Sequence, residues 1–136
     1  MGGLSHVTLG TNDPERAGRF YDAILAPLGW LRLPKPPGKP PAYAPAGSDG
    51  NPADMPILYL YTPEDGRPAT WGNGTHVAFV APSRDAVARF HALALEHGGL
   101  DEGAPGPRDF YGAGDLAAYV RDPDGNKLQA VYYADA

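Results

Sequence analysis

The chain has no cysteine. Disulfides, thiolate metal sites and a cysteine nucleophile are excluded together, so any metal would have to be held by His, Asp, Glu, Gln or Tyr. It also lacks a run of about 18 apolar residues and the basic, apolar and small-residue zones of a secretory signal. No membrane partner is expected, and the cytoplasm is the expected compartment. Positive charge is scarce: 11 Lys and Arg stand against 16 Asp and Glu, for a formal net charge of −5, and the cations are scattered rather than gathered into a stripe. Such a chain has no basic field for a phosphate backbone, so nucleic acid is not an expected partner. GxSxG, a Walker loop, a dinucleotide fingerprint and HExxH are all missing. GNG at 72–74 reads as a turn, not a phosphate cradle.

What remains is 136 residues, 43% hydrophobic and 20% charged, enough for one globular domain with a single core. Within it, one pattern is written twice. LSHVTLGTNDPERAGRFYDAILAPLGW at 4–30 and GTHVAFVAPSRDAVARFHALALEHGG at 74–99 align at a constant offset of 70. At that offset His6 meets His76, Val7 meets Val77, Phe20 meets Phe90, Leu25 meets Leu95 and Gly29 meets Gly99. Asp13 meets Ser83, and both are preferred helix N-caps. Pro14 suits the first helical position behind Asp13. Each module therefore opens with a strand, a cap and a helix. The first helix places Ala17, Phe20, Ile24 and Leu28 on one stripe; the second does so with Val87, Phe90 and Ala94. Glycines at 29, 98 and 99 end the helices, where a positive φ is cheap only for Gly.

Beyond each helix the pattern is short strands with turns. LAAYVRDPDGNKLQAVYY carries an Asp-Pro-Asp-Gly turn at 122–125 between two strand-like runs, a strong hairpin signal. PAYAPAG and MPILYLYT are the counterparts in the first module, joined by the polar loop 48–54. The reading is βαβββ written twice, with module 1 at about 3–65, module 2 at about 73–134 and a linker at 66–74. KPPGKPP at 35–41 is expected to be an extended surface loop.

Paired modules with this spelling resemble the vicinal oxygen chelate superfamily, the glyoxalase, bleomycin-resistance and extradiol-dioxygenase relatives. LSHVTLG at 4–10, FYDAILAPLGW at 20–30, NGTHVAF at 73–79 and YVRDPDGNKLQAV at 119–131 carry the resemblance, which covers nearly the whole chain. It implies an α+β fold in which two βαβββ modules form a curved, U-shaped mixed sheet around a cleft. It also implies a divalent metal where the first and fourth strands of the modules converge, a small-molecule ligand and, in many relatives, a homodimer.

Side chains alternate along a strand, so Val7 and Leu9 face one way and His6 and Thr8 the other, as Val77 and Phe79 oppose His76 and Ala78. With helices on the apolar face, both imidazoles point into the implied cleft. The resemblance makes His6, His76 and the fourth-strand residue Gln129 the candidate metal ligands, with Zn, Ni, Mn or Fe as the implied ion. Metal-binding relatives usually carry glutamates on the two fourth strands. Here those positions hold Gln129 and, at the same offset, Tyr59. Two histidines with a neutral amide leave a divalent charge uncompensated, which weakens metal binding.

The same alternation places Tyr59, Tyr119 and Arg121 on the cleft side as candidate substrate-binding residues, with Lys127 and Gln129 beside them. Such a surface suits a small aromatic or carboxylate-bearing molecule. Arg121 next to Asp122 and Asp124 also reads as a turn-stabilising residue. Two classes of function stay open. One is a metal-assisted lyase, isomerase or dioxygenase, for which no catalytic base is identified; the other is a metal-free module that sequesters a small molecule.

Overall fold

The computed structural model describes residues 3–108 and 112–135. The order is β1 (His6–Gly10), α1 (Pro14–Leu25), a 3₁₀ turn (Ala26–Leu28), β2 (Trp30–Arg32), β3 (Ala42–Pro45) and β4 (Ile57–Tyr61) in the first module. The second has β5 (His76–Val80), α2 (Arg84–Glu96), β6 (Leu100–Pro107), β7 (Leu116–Arg121) and β8 (Lys127–Tyr132). Each module forms its own four-stranded mixed sheet, in the orders β1-β4-β3-β2 and β5-β8-β7-β6. In each, the first strand pairs in parallel with the fourth, and the remaining pairs are antiparallel. This is the expected double βαβββ architecture, hydrogen-bonded as two sheets that are not closed on each other. No helix among the described residues is long and apolar enough to cross a membrane.

The helix starts follow from their caps. Asp13 is extended and its carboxylate accepts from the Arg16 N–H; Ser83 does the same for Ala86. Gly29 and Gly98 end the helical segments with φ of 81° and 95°. Gly99 has a different task. A Cβ there would stand 2.7 Å from the Arg121 carbonyl and 2.9 Å from a ring carbon of Phe20, so it is a steric glycine that lets the first helix pack against the second module.

Ala17, Phe20 and Ile24 from α1 and Val87, Phe90 and Ala94 from α2 are buried in one cluster with Leu58, Leu60, Val120, Leu128 and Ala130 from the sheets. Both helices therefore cover the same side of the two sheets. Full burial of each large aliphatic or aromatic side chain here is worth about 1.5–3 kcal/mol. KPPGKPP connects β2 to β3, and it is not uniformly extended: Lys39 N–H donates to the Pro36 carbonyl across a turn with Gly38 at φ 83°.

The Asp-Pro-Asp-Gly hairpin turn does more than reverse the chain. Asp122 is buried and accepts from the Tyr21 hydroxyl of α1 at 2.5 Å, from Asn126 Nδ2 at 2.9 Å and from the backbone N–H groups of Asp124 and Asn126. Asn126 Nδ2 also donates to the Gly10 carbonyl at the end of β1, and Asp124 accepts from Asn12 N–H and pairs with Arg16 at 2.8 Å. The turn of module 2 is thereby clasped to the strand-to-helix corner of module 1. Burial pushes the Asp122 carboxyl above its ordinary value, against the lowering effect of the hydrogen bonds it accepts. The Tyr21 hydroxyl is raised well above its own, first by burial and then by the Asp122 charge.

Candidate functional site

The helix-free face of each sheet is defined by register. In sheet 1, His6 lies across from Ile57 and Thr8 from Tyr59; in sheet 2, His76 lies across from Lys127 and Ala78 from Gln129. The offset of 70 thus survives into the hydrogen-bonded ladders, with each fourth-strand candidate one row beyond its histidine. Val7 and Val77, one residue along, pack against the helix-covered core. His6 and His76 are both exposed on the opposite face. Strands β1 and β5 are edge strands, and they flank a common apolar cavity of about 290 Å³ lined by Val7, Trp30, Ile57, Val77 and Phe79 among others.

Each histidine stands edge-on to a tyrosine. The His6 and Tyr59 rings are 5.4 Å apart at 74°, and those of His76 and Tyr119 are 5.9 Å apart at 68°. Tyr59 also touches Tyr61, with ring centroids 5.1 Å apart. The Ser5 hydroxyl lies 2.9 Å from Nδ1 of His6. Gln129 is only 1% exposed and sits across from Tyr119 in the β7–β8 ladder. The histidine–tyrosine pairing arises because a strand face repeats every second residue, which brings the first strand's polar face beside the cross-strand aromatics.

Arg121 is engaged on three sides. Its guanidinium contacts the Glu102 carboxylate, donates to the Gly125 carbonyl at 2.9 Å and lies 4.5 Å over the Trp71 ring. These contacts tie Arg121 to β6, to the hairpin turn and to the linker. Trp71 was legible only as a linker residue; in the fold it is 48% exposed and lies against Gly125, whose added Cβ would stand 2.4 Å from its ring. Its Gly- and Pro-rich surroundings were the available signal, since an aromatic in such a linker needs something to rest on. His91 and His97 lie apart from this face. His91 Nε2 pairs with Asp101 at 2.9 Å, and His97 Nδ1 lies 2.9 Å from the Leu93 carbonyl.

The sequence model of the Glyoxalase/Bleomycin resistance protein/Dioxygenase superfamily matches residues 3–130. The chain belongs to this superfamily. A glyoxalase/bleomycin resistance protein from Albidiferax ferrireducens T118 is 37% identical, with 96% of this chain and 98% of that one covered and a TM-score of 0.78. Two more distant structures share the fold. A glyoxalase-related enzyme from Fulvimarina pelagi is 21% identical over 98% of this chain and 89% of its own, with a TM-score of 0.69. A lactoylglutathione lyase from Agrobacterium tumefaciens is 18% identical over 97% and 94%, with a TM-score of 0.60. No curated protein matches the chain.

Divalent metals are common in the superfamily, so the donor set must be tested against one. Beside the two imidazoles the positions on the fourth strands supply a phenol and an amide, all neutral donors in their ordinary states. Among the described residues no three of His, Cys, Asp and Glu come together. An ion held by these four neutral groups alone would keep its double charge uncompensated. The set does not suit a resident divalent metal.

Proposed function

We propose that this superfamily member binds a small organic molecule on the helix-free face, using the His6–Tyr59 and His76–Tyr119 pairs without a resident divalent metal. The observation behind this reading is the neutral donor set: Tyr59 and Gln129 stand one row beyond the histidines where a metal site needs charge. Edge-on imidazole–phenol pairs present both apolar ring surface and hydrogen-bonding nitrogen, a combination that suits a planar, oxygen-bearing ligand. Metal analysis of untagged protein, followed by titration with Zn, Mn, Ni and Fe, tests it. Substoichiometric metal and weak uptake are expected. A stoichiometric, tightly held ion lost together in His6→Ala and His76→Ala variants would overturn it.

The metal-assisted lyase or dioxygenase is the second reading. It is favoured by one observation, that His6 and His76 occupy equivalent ladder positions on the same kind of face in both modules. We further propose that the protein is a homodimer, because β1 and β5 are sheet edges and Leu4 and Val80 beside them are 73% and 65% exposed.

A further inference from the structure

The two helix-free faces differ in charge. On sheet 1 the row through His6 continues into Ile57, and Ala42, Ala44 and Ile57 form an apolar cluster with Leu33 and Tyr59. On sheet 2 the equivalent row runs His76, Lys127, Arg121 across three neighbouring strands. Lys127 and Arg121 are direct cross-strand partners, and like charges placed opposite each other destabilise a sheet. The chain as a whole carries a net charge of −5, so this row runs against its general balance. Among the described residues one carboxylate, that of Glu102, pairs with the row, and it is taken by Arg121.

A third cation, Arg108, is brought in from just beyond the end of β6. The Arg108 guanidinium is 5.5 Å from the centroid of the Tyr119 ring, and the Lys127 ammonium is 5.1 Å from the same centroid. Arg108 is held there by the Pro107 and Ala104 carbonyls at 3.1 and 3.3 Å. The seat is also shaped by glycine. A Cβ at Gly103 would stand 3.2 Å from the guanidinium and 3.2 Å from the Tyr119 ring, and one at Gly106 would stand 3.1 Å from the guanidinium. Two glycines on the bulged strand thus leave the room that lets Arg108 fold back over the Tyr119 ring. Among the described residues neither Lys127 nor Arg108 pairs with a carboxylate.

We propose that Lys127 and Arg108, assembled around Tyr119 beside His76, bind the acid group of a small organic anion, a carboxylate or a phosphoryl group. The proposal rests on the reading of the helix-free face as the ligand face and adds the ligand's charge. An anion offsets the row of like charges, and both cations keep donors available for its oxygens.

The test is titration of the whole protein with benzoate, phenyl phosphate and the neutral isostere benzamide, followed by calorimetry and by thermal shift. Benzoate or phenyl phosphate should bind at least about tenfold more tightly than benzamide. Preference between the two anions decides whether the acid is a carboxylate or a phosphoryl group. Lys127→Gln and Arg108→Gln should each weaken anion binding by about tenfold or more, whereas Lys35→Gln on the β2–β3 connection should not. Lys127→Gln should fold about as stably as wild type at low salt, because Lys127 stands opposite Arg121 in the ladder and pairs with no carboxylate among the described residues. That separates a binding role from a structural one. Binding of both benzoate and phenyl phosphate no tighter than that of benzamide would overturn the anion proposal while leaving the ligand face standing; no binding of any of the three would count against both. Unchanged anion affinity in the two Gln variants would likewise refute it.

Discussion

Removing one oxygen from Tyr21 tests whether the Asp-Pro-Asp-Gly turn holds the two modules together. In Tyr21→Phe the ring stays in its buried place against Phe20 and Tyr43, so packing barely changes. What is lost is a hydroxyl donated at 2.5 Å to a buried carboxylate. Hydrogen bonds to charged groups are worth about 1.5–3 kcal/mol, and the carboxylate left behind still has three other donors, so about 2 kcal/mol is expected. For a chain of this size that lowers Tm by roughly 6–10 °C. The loss should depend on pH with a definite sign. Burial raises the Asp122 carboxyl above its ordinary value, so the folded protein holds that proton more tightly than the unfolded chain. Stability from this group is present in acid and declines as pH rises through the folded value. The Tyr21 hydroxyl opposes the rise; without it Asp122 is raised further and the decline runs deeper. Urea unfolding at about pH 3 and about pH 7 should show a small difference between variant and wild type in acid and a larger one at neutrality. A difference below about 0.5 kcal/mol at neutral pH, or one that widens on acidification, would refute the clasp.

Gly125→Ala places a Cβ 2.4 Å from the Trp71 ring at a residue with φ 93°, so it should cost about 1–3 kcal/mol and expose Trp71 to acrylamide quenching. Gln129→Glu sets a carboxylate at a position 1% exposed; it should lower stability without metal and raise Zn, Mn or Ni affinity at least about tenfold, read by calorimetry. Asp101, held below its ordinary value first by the hydrogen bond from His91, should titrate early by NMR, and His91→Ala should move that titration upward. Sedimentation at micromolar concentration should show a dimer; a monomer alone would contradict the proposed self-association.

The repeat was legible from residues alone because caps, helix stripes and strand alternation are local. Asp13, Ser83, the Phe20 and Phe90 stripes and the polar faces of His6 and His76 depend on neighbours a few positions away, and each stands in the fold as its local pattern implies. The constant offset even reaches the ladder register, since duplicated strands pair alike. Gly98 and Gly99 show where local reading stops: one is explained by its own φ, the other only by Phe20 arriving from the first helix.

The remaining features needed residues far apart in the chain to meet. Nothing near Asp122 in sequence announces Tyr21, which lies 101 residues away, so a turn that reads as a hairpin could not be read as a clasp. Arg108 reached the helix-free face only because Gly103 and Gly106 let it fold back toward Tyr119. Trp71 found its support in a glycine of another loop. Local patterns determine which face a side chain takes; burial and charge balance are sums over everything packed nearby, and only the tertiary structure supplies those neighbours.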